Sequence, residues 1–226
     1  MCGRFSLSGD IDFYAEYFGA EVVASPLPPS WNVAPTDSVY VVAERDNKRS
    51  LASMPWGLVP HWAPDTKKIQ INARAETVAT APIFRDSLAR RRCLIPADGF
   101  YEWEQNTKVP HWIFRADGYP VGFAGIWATR KGPDGEWTRT CAILTRAAMG
   151  VVAPLHDRMP IALDPGHWEV WLDREQTDVN AALSLLNPIE ADLWMERTVS
   201  SRVNSVRNND ATLLDPPEES PQLRLV

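Results

Sequence analysis

The 226-residue chain is 45% hydrophobic and shows no break in composition, enough sequence for one sizeable core and no reason to divide it into two domains. Its three cysteines, Cys2, Cys93 and Cys141, are odd in number and lack a Cys-x-x-Cys spacing, which argues against a disulfide framework or a structural zinc site and fits a reducing compartment. A formal charge of −6 argues against a broadly basic nucleic-acid domain, and no apolar run approaches the roughly 20 residues of a membrane-spanning helix.

In chain order, the segment from Met1 to Phe13 lacks the apolar centre of a secretory signal, so a soluble cytoplasmic protein is expected. Ile11, Tyr14, Tyr17 and Phe18 recur at helical spacing after Ser8 or Asp10 as cap and before Gly19 as stop, predicting a short amphipathic helix. Residues 39–43 and 51–56 read as strands, and Pro82 followed by Ile83, Phe84 and Leu88 reads as a helix opened by proline. Segments 94–96, 100–104, 112–115, 121–128 and 137–144 alternate with Asp98-Gly99, Asp117-Gly118 and Asp134-Gly135, predicting a meander of hairpins. Short helices are expected over 167–172 and over 179–186, the second capped by Asp178, and 194–199 returns to strand. The whole reads as α+β: a single domain with a β-rich core of antiparallel hairpins and several short flanking helices. It covers residues 1–215, with a Pro- and acid-rich tail over 216–226.

Charge is unevenly placed. Residues 208–226 carry a net −3, leaving only −3 on the rest, so local basic clusters are compatible with the total. Arg90, Arg91 and Arg92 run together, and Lys67 with Lys68 precedes an Asn-Ala-Arg segment; such runs read first as solvated faces.

The most informative position is Cys2. Removal of Met1 leaves a free α-amine and a thiol on adjacent carbons, a pair that can trap an aldehyde: the amine condenses to an imine and the thiol closes a five-membered thiazolidine. Ordinary values of about 7.7–8.0 for the amine and about 8.5 for the thiol leave both partly deprotonated near neutrality. Four polar segments stand beside turn residues, where sites tend to be built. They are Cys2-Gly3-Arg4-Phe5, Asn72-Ala73-Arg74-Ala75-Glu76-Thr77, Ala97-Asp98-Gly99-Phe100-Tyr101-Glu102-Trp103 and His156-Asp157-Arg158-Met159-Pro160.

Together with Asn32-Val33-Ala34-Pro35, the run from Trp56 to Trp62 and Val203-Asn204-Ser205-Val206, these segments closely resemble the SRAP family, the SOS-response-associated peptidase or abasic-site processing proteins, over nearly the whole chain. The resemblance implies a monomeric protein of the SRAP fold that binds single-stranded DNA at an abasic site and joins its N-terminal cysteine to the ring-opened deoxyribose. Lyase action, reversal of the link and autoproteolytic loss of Met1 come with it as expectations. By residue, it implies Cys2 as nucleophile with Asn72, Glu102 and His156 around it, and DNA contacts from Arg4, Arg74, Arg158, Trp62, Pro35 and Thr145. No metal or cofactor is implied, and the location is the bacterial cytoplasm, on the nucleoid when DNA is bound.

The residues suit these roles. His156 ionises near cellular pH, Glu102 beside Tyr101 and Trp103 would have its pKa raised by burial, and Asn72 can orient groups without ionising. Each also has a plainer reading: Glu102 as the solvent-facing position of an alternating strand, His156-Asp157-Arg158 as a surface turn, Arg74 and Glu76 as two ends of a structural network, Trp56 and Trp62 as packing. Cys93 and Cys141, in apolar strands, read as inert core. Two other functions fit the residues: an N-terminal-nucleophile amidase in which His156 activates the thiol, and a non-catalytic single-strand-binding module using arginine and tryptophan.

Overall fold

The computed structural model describes residues 2–45, 48–63, 69–132, 134–186 and 193–217. Met1, Lys67, Lys68 and the tail beyond Pro217 lie outside them. The chain begins with β1 (Phe5–Leu7), α1 (Ile11–Phe18), β2 (Glu21–Val22), β3 (Ser30–Val33), β4 (Ser38–Arg45), β5 (Lys48–Pro55) and β6 (Asn72–Arg74). After α2 (Arg85–Arg90) come β7 (Arg92–Ala97), β8 (Gly99–Trp103), β9 (Pro110–Arg115), β10 (Val121–Lys131), β11 (Trp137–Ala147) and β12 (Arg158–Pro160). The described chain finishes with α3 (Trp168–Leu172), α4 (Val179–Ser184) and β13 (Trp194–Thr198), with short 3-10 turns between and after them. No helix among the described residues is long and apolar enough to cross a membrane.

Local chemistry sets several of these elements. The Asp10 carboxylate accepts the Asp12 N–H (2.8 Å) at the start of α1, and Gly19 closes the helix at φ 61°, a left-handed geometry that glycine adopts without strain. Ile11, Tyr14, Ala15 and Phe18 are its buried face. Asp178 caps α4 as its sequence position predicts, accepting from Asn180 and Ala181. The helix expected from Pro82 begins later, at Arg85: Pro82, Ile83 and Phe84 form turns, with Phe84 N–H bonded to Ala81 O.

The strands form two sheets. The larger runs β12-β11-β10-β7-β4-β5-β2, with β6 added parallel to β11; the smaller runs β13-β9-β8-β1-β3. The larger sheet curls on itself, because Trp56, just past β5, bridges Cys141 on β11. Of the turns read as hairpins, only Asp134-Gly135 joins paired neighbours, β10 and β11. At Asp98-Gly99 and at Asp117-Gly118 the chain passes from one sheet to the other. Asp98 is a hub at that crossing, accepting from Ser6 Oγ (3.0 Å), Ser8 N (2.7 Å), Ser8 Oγ (2.9 Å) and Tyr14 Oη (2.5 Å). Gly99 is required by close approach, since a Cβ there would sit 2.4 Å from Ile113 O.

The main core lies between the sheets, where Phe5 meets Trp56 (5.0 Å between ring centroids) and Phe123 (6.2 Å) edge-on. A second cluster of Tyr101, Trp112, Val199, Val203 and Leu213 covers the outer face of the smaller sheet. Both faces of β8 are therefore covered, which puts Glu102, 3% exposed, inside the protein and not on a solvated strand face. Cys93 and Cys141 are fully buried, as expected of core thiols. Arg92 departs from the solvated-face reading of its run. It is buried, and its guanidinium donates to five backbone carbonyls, those of Leu88, Ala89, Trp171, Asp173 and Gln176, tying β7 to α2 and to the chain around α3.

Candidate active site

Residues 2–4 run ahead of β1 along the end of β8. The register Phe5 with Phe100 and Ser6 with Gly99 is prolonged by the bond from Tyr101 N–H to Arg4 O (3.0 Å), and one step further sets Gly3 opposite Glu102. Cys2 is fully buried. Its thiol points to Arg4 O at 3.9 Å, and its carbonyl accepts from Asn72 Nδ2 at 2.7 Å. Asn72 opens β6, held parallel to β11 by its pairing with Ile143, so a side chain of the larger sheet reaches the start of the smaller one. Asn72 Oδ1 is buried and has no hydrogen-bond partner among the described residues, leaving one acceptor for an incoming donor.

Electrostatics link the other two segments to this point. Burial raises the Glu102 carboxyl from 4.5 to about 7, and the Asp157 carboxylate adds to the rise. Burial, reinforced by Glu102, holds the Cys2 thiol well above the ordinary thiol range. His156 is lowered by burial, with the Asp157 charge opposing. Its Nδ1 accepts the Arg158 N–H at 2.9 Å and stands 2.7 Å from Asp157 Oδ1. The neutral imidazole with its proton on Nε2 suits the first contact; protonation turns Nδ1 into a donor for the second. Burial pushes Glu102 up and His156 down, which removes the ordinary order in which the carboxyl ionises well before the imidazole, so Glu102 can hold a proton while His156 is neutral. That pairing can move protons to and from one reacting oxygen or nitrogen.

The arginines are held by their own networks. Arg4 Nη1 donates to Asn32 Oδ1 (2.7 Å) and Val203 O (3.1 Å), and its guanidinium lies 5.9 Å over the Trp103 ring. Asn32 in turn donates to the carbonyls of Val203 (3.3 Å), Ser205 (3.0 Å) and Asn208 (2.8 Å), so the motifs that begin at Asn32 and Val203 form one brace under Arg4. Arg158 makes a two-pronged contact with Glu76 (2.6 and 2.9 Å) and donates to Thr145 O at 2.7 Å. That contact, led by its hydrogen bond, lowers the Glu76 pKa. Glu76 is thus paired with Arg158, and the Arg74 charge also acts on it, so the two belong to one network.

Arg74 lies at the end of β6, opposite Thr145, and is exposed. Thr145 is fully buried, its hydroxyl donating to Ala73 O (3.4 Å) and accepting from Arg158 Nη2 (3.3 Å), so both its carbonyl and its side chain meet Arg158. Pro35 is half-buried in a turn where Thr36 adopts φ 81°, a strained value for a β-branched residue, fixed by Thr36 N–H to Trp56 O (2.8 Å). Trp62, 55% exposed, stands in a turn, and its side chain makes no hydrogen bond or ring contact among the described residues. The structure therefore gathers Cys2, Asn72, Glu102 and His156 with Arg158 and Arg4 at the flanks. The sequence reading missed Asn32 as the brace of Arg4 and Asp98 as the anchor of the Ser6–Tyr14 segment. Asp98 looked like an ordinary turn residue, and Asn32 carried no signal beyond its motif.

A curled larger sheet and a smaller sheet, with an N-terminal cysteine segment held between them by Asn72, define the class to which this protein belongs. The family model for SOS response associated peptidase (SRAP) matches residues 1–206, and the chain is a member of that family. Among its relatives, the abasic site processing protein YoqW of Bacillus subtilis (strain 168) is 37% identical, covering 95% of this chain and 99% of the relative. The abasic site processing protein YedK of Escherichia coli (strain K12) is 34% identical over 96% of this chain and 100% of its own. A crystal structure of a protein from Bacteroides thetaiotaomicron shares the fold with a TM-score of 0.85 at 24% identity, covering 95% of this chain and 99% of that one.

Proposed function

We propose that the protein processes abasic sites in single-stranded DNA by covalent capture. Loss of Met1, by its own action or by an aminopeptidase, frees the Cys2 amine beside the carbonyl that Asn72 holds. The abasic sugar opens to its aldehyde as His156 takes the hydroxyl proton and an acid returns one to the ring oxygen. The Cys2 amine adds to C1′, and water leaves on protonation by Glu102. The resulting imine carbon accepts the thiol sulfur while the thiol proton passes to the imine nitrogen, closing the thiazolidine with the net loss of one water. Arg4, Arg74 and Arg158 take phosphates, with Trp62, Pro35 and Thr145 completing the strand's path. Elimination of the 3′ phosphate from the imine gives lyase action, and reopening by the same acid and base gives reversal. The protein acts as a monomer in the cytoplasm.

One observation carries this reading: Cys2 is buried between Asn72 and the covered end of β8, beside a carboxyl whose pKa stands near 7. Burial keeps the Cys2 thiol protonated at neutral pH, which favours attack by the amine first and speaks against an amidase that needs a ready thiolate. The test is incubation of Met1-processed protein with a single-stranded oligonucleotide bearing one abasic site. An adduct stable to denaturation is expected with native protein and not with Cys2→Ala; equal adduct from both overturns the reading.

A further inference from the structure

A cavity of about 370 Å³ lies away from the Cys2 site, lined by Met54 and Ser50 of β5, Glu44 of β4, Trp127 of β10, Arg139 of β11 and Arg174 beyond α3. Arg139 pairs with Thr129, whereas Asn72 and Arg74 join β11 at Ile143 and Thr145. Arg139 and Thr145 are six residue steps apart along an extended strand, a span of about 20 Å. The cavity opens where the larger sheet curls over, and mouths of such closed sheets are recurrent small-molecule sites of about 300–1,000 Å³.

Its chemistry is specific. Trp127 supplies an aromatic surface, with the Arg91 guanidinium 5.9 Å over its ring. The Arg139 and Arg174 side chains are exposed and make no ion pair or hydrogen bond among the described residues. Glu44 has positive neighbours of its own: Arg49 directly across the β4–β5 pair, and Arg92, on whose guanidinium its charge acts. The wall therefore offers two uncommitted guanidiniums, one flat ring, and the Glu44 carboxylate and Ser50 hydroxyl as acceptors.

The geometry points to a second binding site, for a nucleoside monophosphate whose base carries an amino group. The phosphate is taken by Arg139 and Arg174, whose planar forks suit bidentate contact with phosphate oxygens. The base lies on Trp127, and its amino group donates to Glu44. The ligand is a free nucleotide or the phosphorylated end of a strand; the shared chemistry is a base next to a phosphate monoester.

Isothermal titration of the full chain with dAMP, deoxyadenosine, deoxyribose 5-phosphate and inorganic phosphate tests the proposal. dAMP is expected to bind at least about tenfold more tightly than any fragment, because base and phosphate are held together. Arg139→Glu with Arg174→Glu, both on exposed positions, is expected to weaken dAMP by about tenfold or more with the melting temperature unchanged. Trp127→Phe is expected to weaken it less. A 5′-phosphorylated oligonucleotide that binds through the same arginines while dAMP does not identifies a strand end as the source; the reverse identifies the free nucleotide. Equal affinity for dAMP and inorganic phosphate, unchanged affinity for every probe in the double variant, or no binding of any probe overturns the site. Adduct formation at Cys2 is scored separately on short oligonucleotides, so failure there leaves this result interpretable.

Discussion

Glu102→Gln is expected to make the protein more stable above neutral pH while crippling it. In the folded chain the carboxyl is 3% exposed and its pKa is raised from 4.5 to about 7 by burial. Below pH about 4.5 it is protonated in both folded and unfolded chains, so it contributes no penalty there. As pH rises toward 7 the unfolded chain ionises first, and stability is lost through that window. A displacement of this size corresponds to about 3 kcal/mol, which for a domain of 150–250 residues is worth several degrees in melting temperature at about 2–4 °C per kcal/mol. Glutamine stays neutral in both states and fills the same volume. Melting curves measured from about pH 5 to about pH 8 should therefore diverge, with Glu102→Gln gaining on the native protein by about 5 °C or more at the alkaline end. The same variant should lose about 10²–10⁴-fold in the rate of adduct formation, the usual worth of one positioned proton-transfer group. Parallel curves for the two proteins would refute the assignment of Glu102 as a carboxyl held neutral by burial.

Asn72→Ala removes the 2.7 Å bond to the Cys2 carbonyl and is expected to slow adduct formation by about tenfold or more while costing only about 1–2 kcal/mol in denaturant unfolding. Arg92→Met leaves five backbone carbonyls short of their donor and is expected to cost more than about 3 kcal/mol, with the adduct rate per folded molecule unchanged. Glu76→Gln releases Arg158 from its pair; stability should change by less than about 1 kcal/mol, since Glu76 is half exposed, while affinity for single-stranded DNA at low salt should rise. Native binding should weaken linearly in log–log against salt, with a slope that falls by about 0.7 for each phosphate-contacting arginine removed.

Short-range chemistry in this chain was legible before its fold was. The caps at Asp10 and Asp178 and the strand segments are local, and each stands close to where its residues predicted it. Sheet membership was not legible, because an Asp-Gly pair bends the chain equally well within a hairpin or between two sheets. At Asp98-Gly99 the deciding contacts come from Ser6, Ser8 and Tyr14, some 90 residues away in sequence. Arg92 reads like Arg90 and Arg91 until the carbonyls of 171, 173 and 176 are brought to it. The site shows the same division. Alternation alone would face Glu102 to water; only the cluster of Tyr101, Trp112 and Val203 behind β8 shows why its strand has no wet side. What the sequence did carry was the set of motifs, all of which lie within residues 1–206, the span the family model matches.

Intact-mass and fragmentation analysis of the DNA adduct tests the chemistry most directly. The account expects the mass of the chain lacking Met1 plus that of the oligonucleotide, less one water, with the junction on Cys2 and no titratable thiol left there. An adduct that retains Met1, or one joined through any other residue, would contradict it.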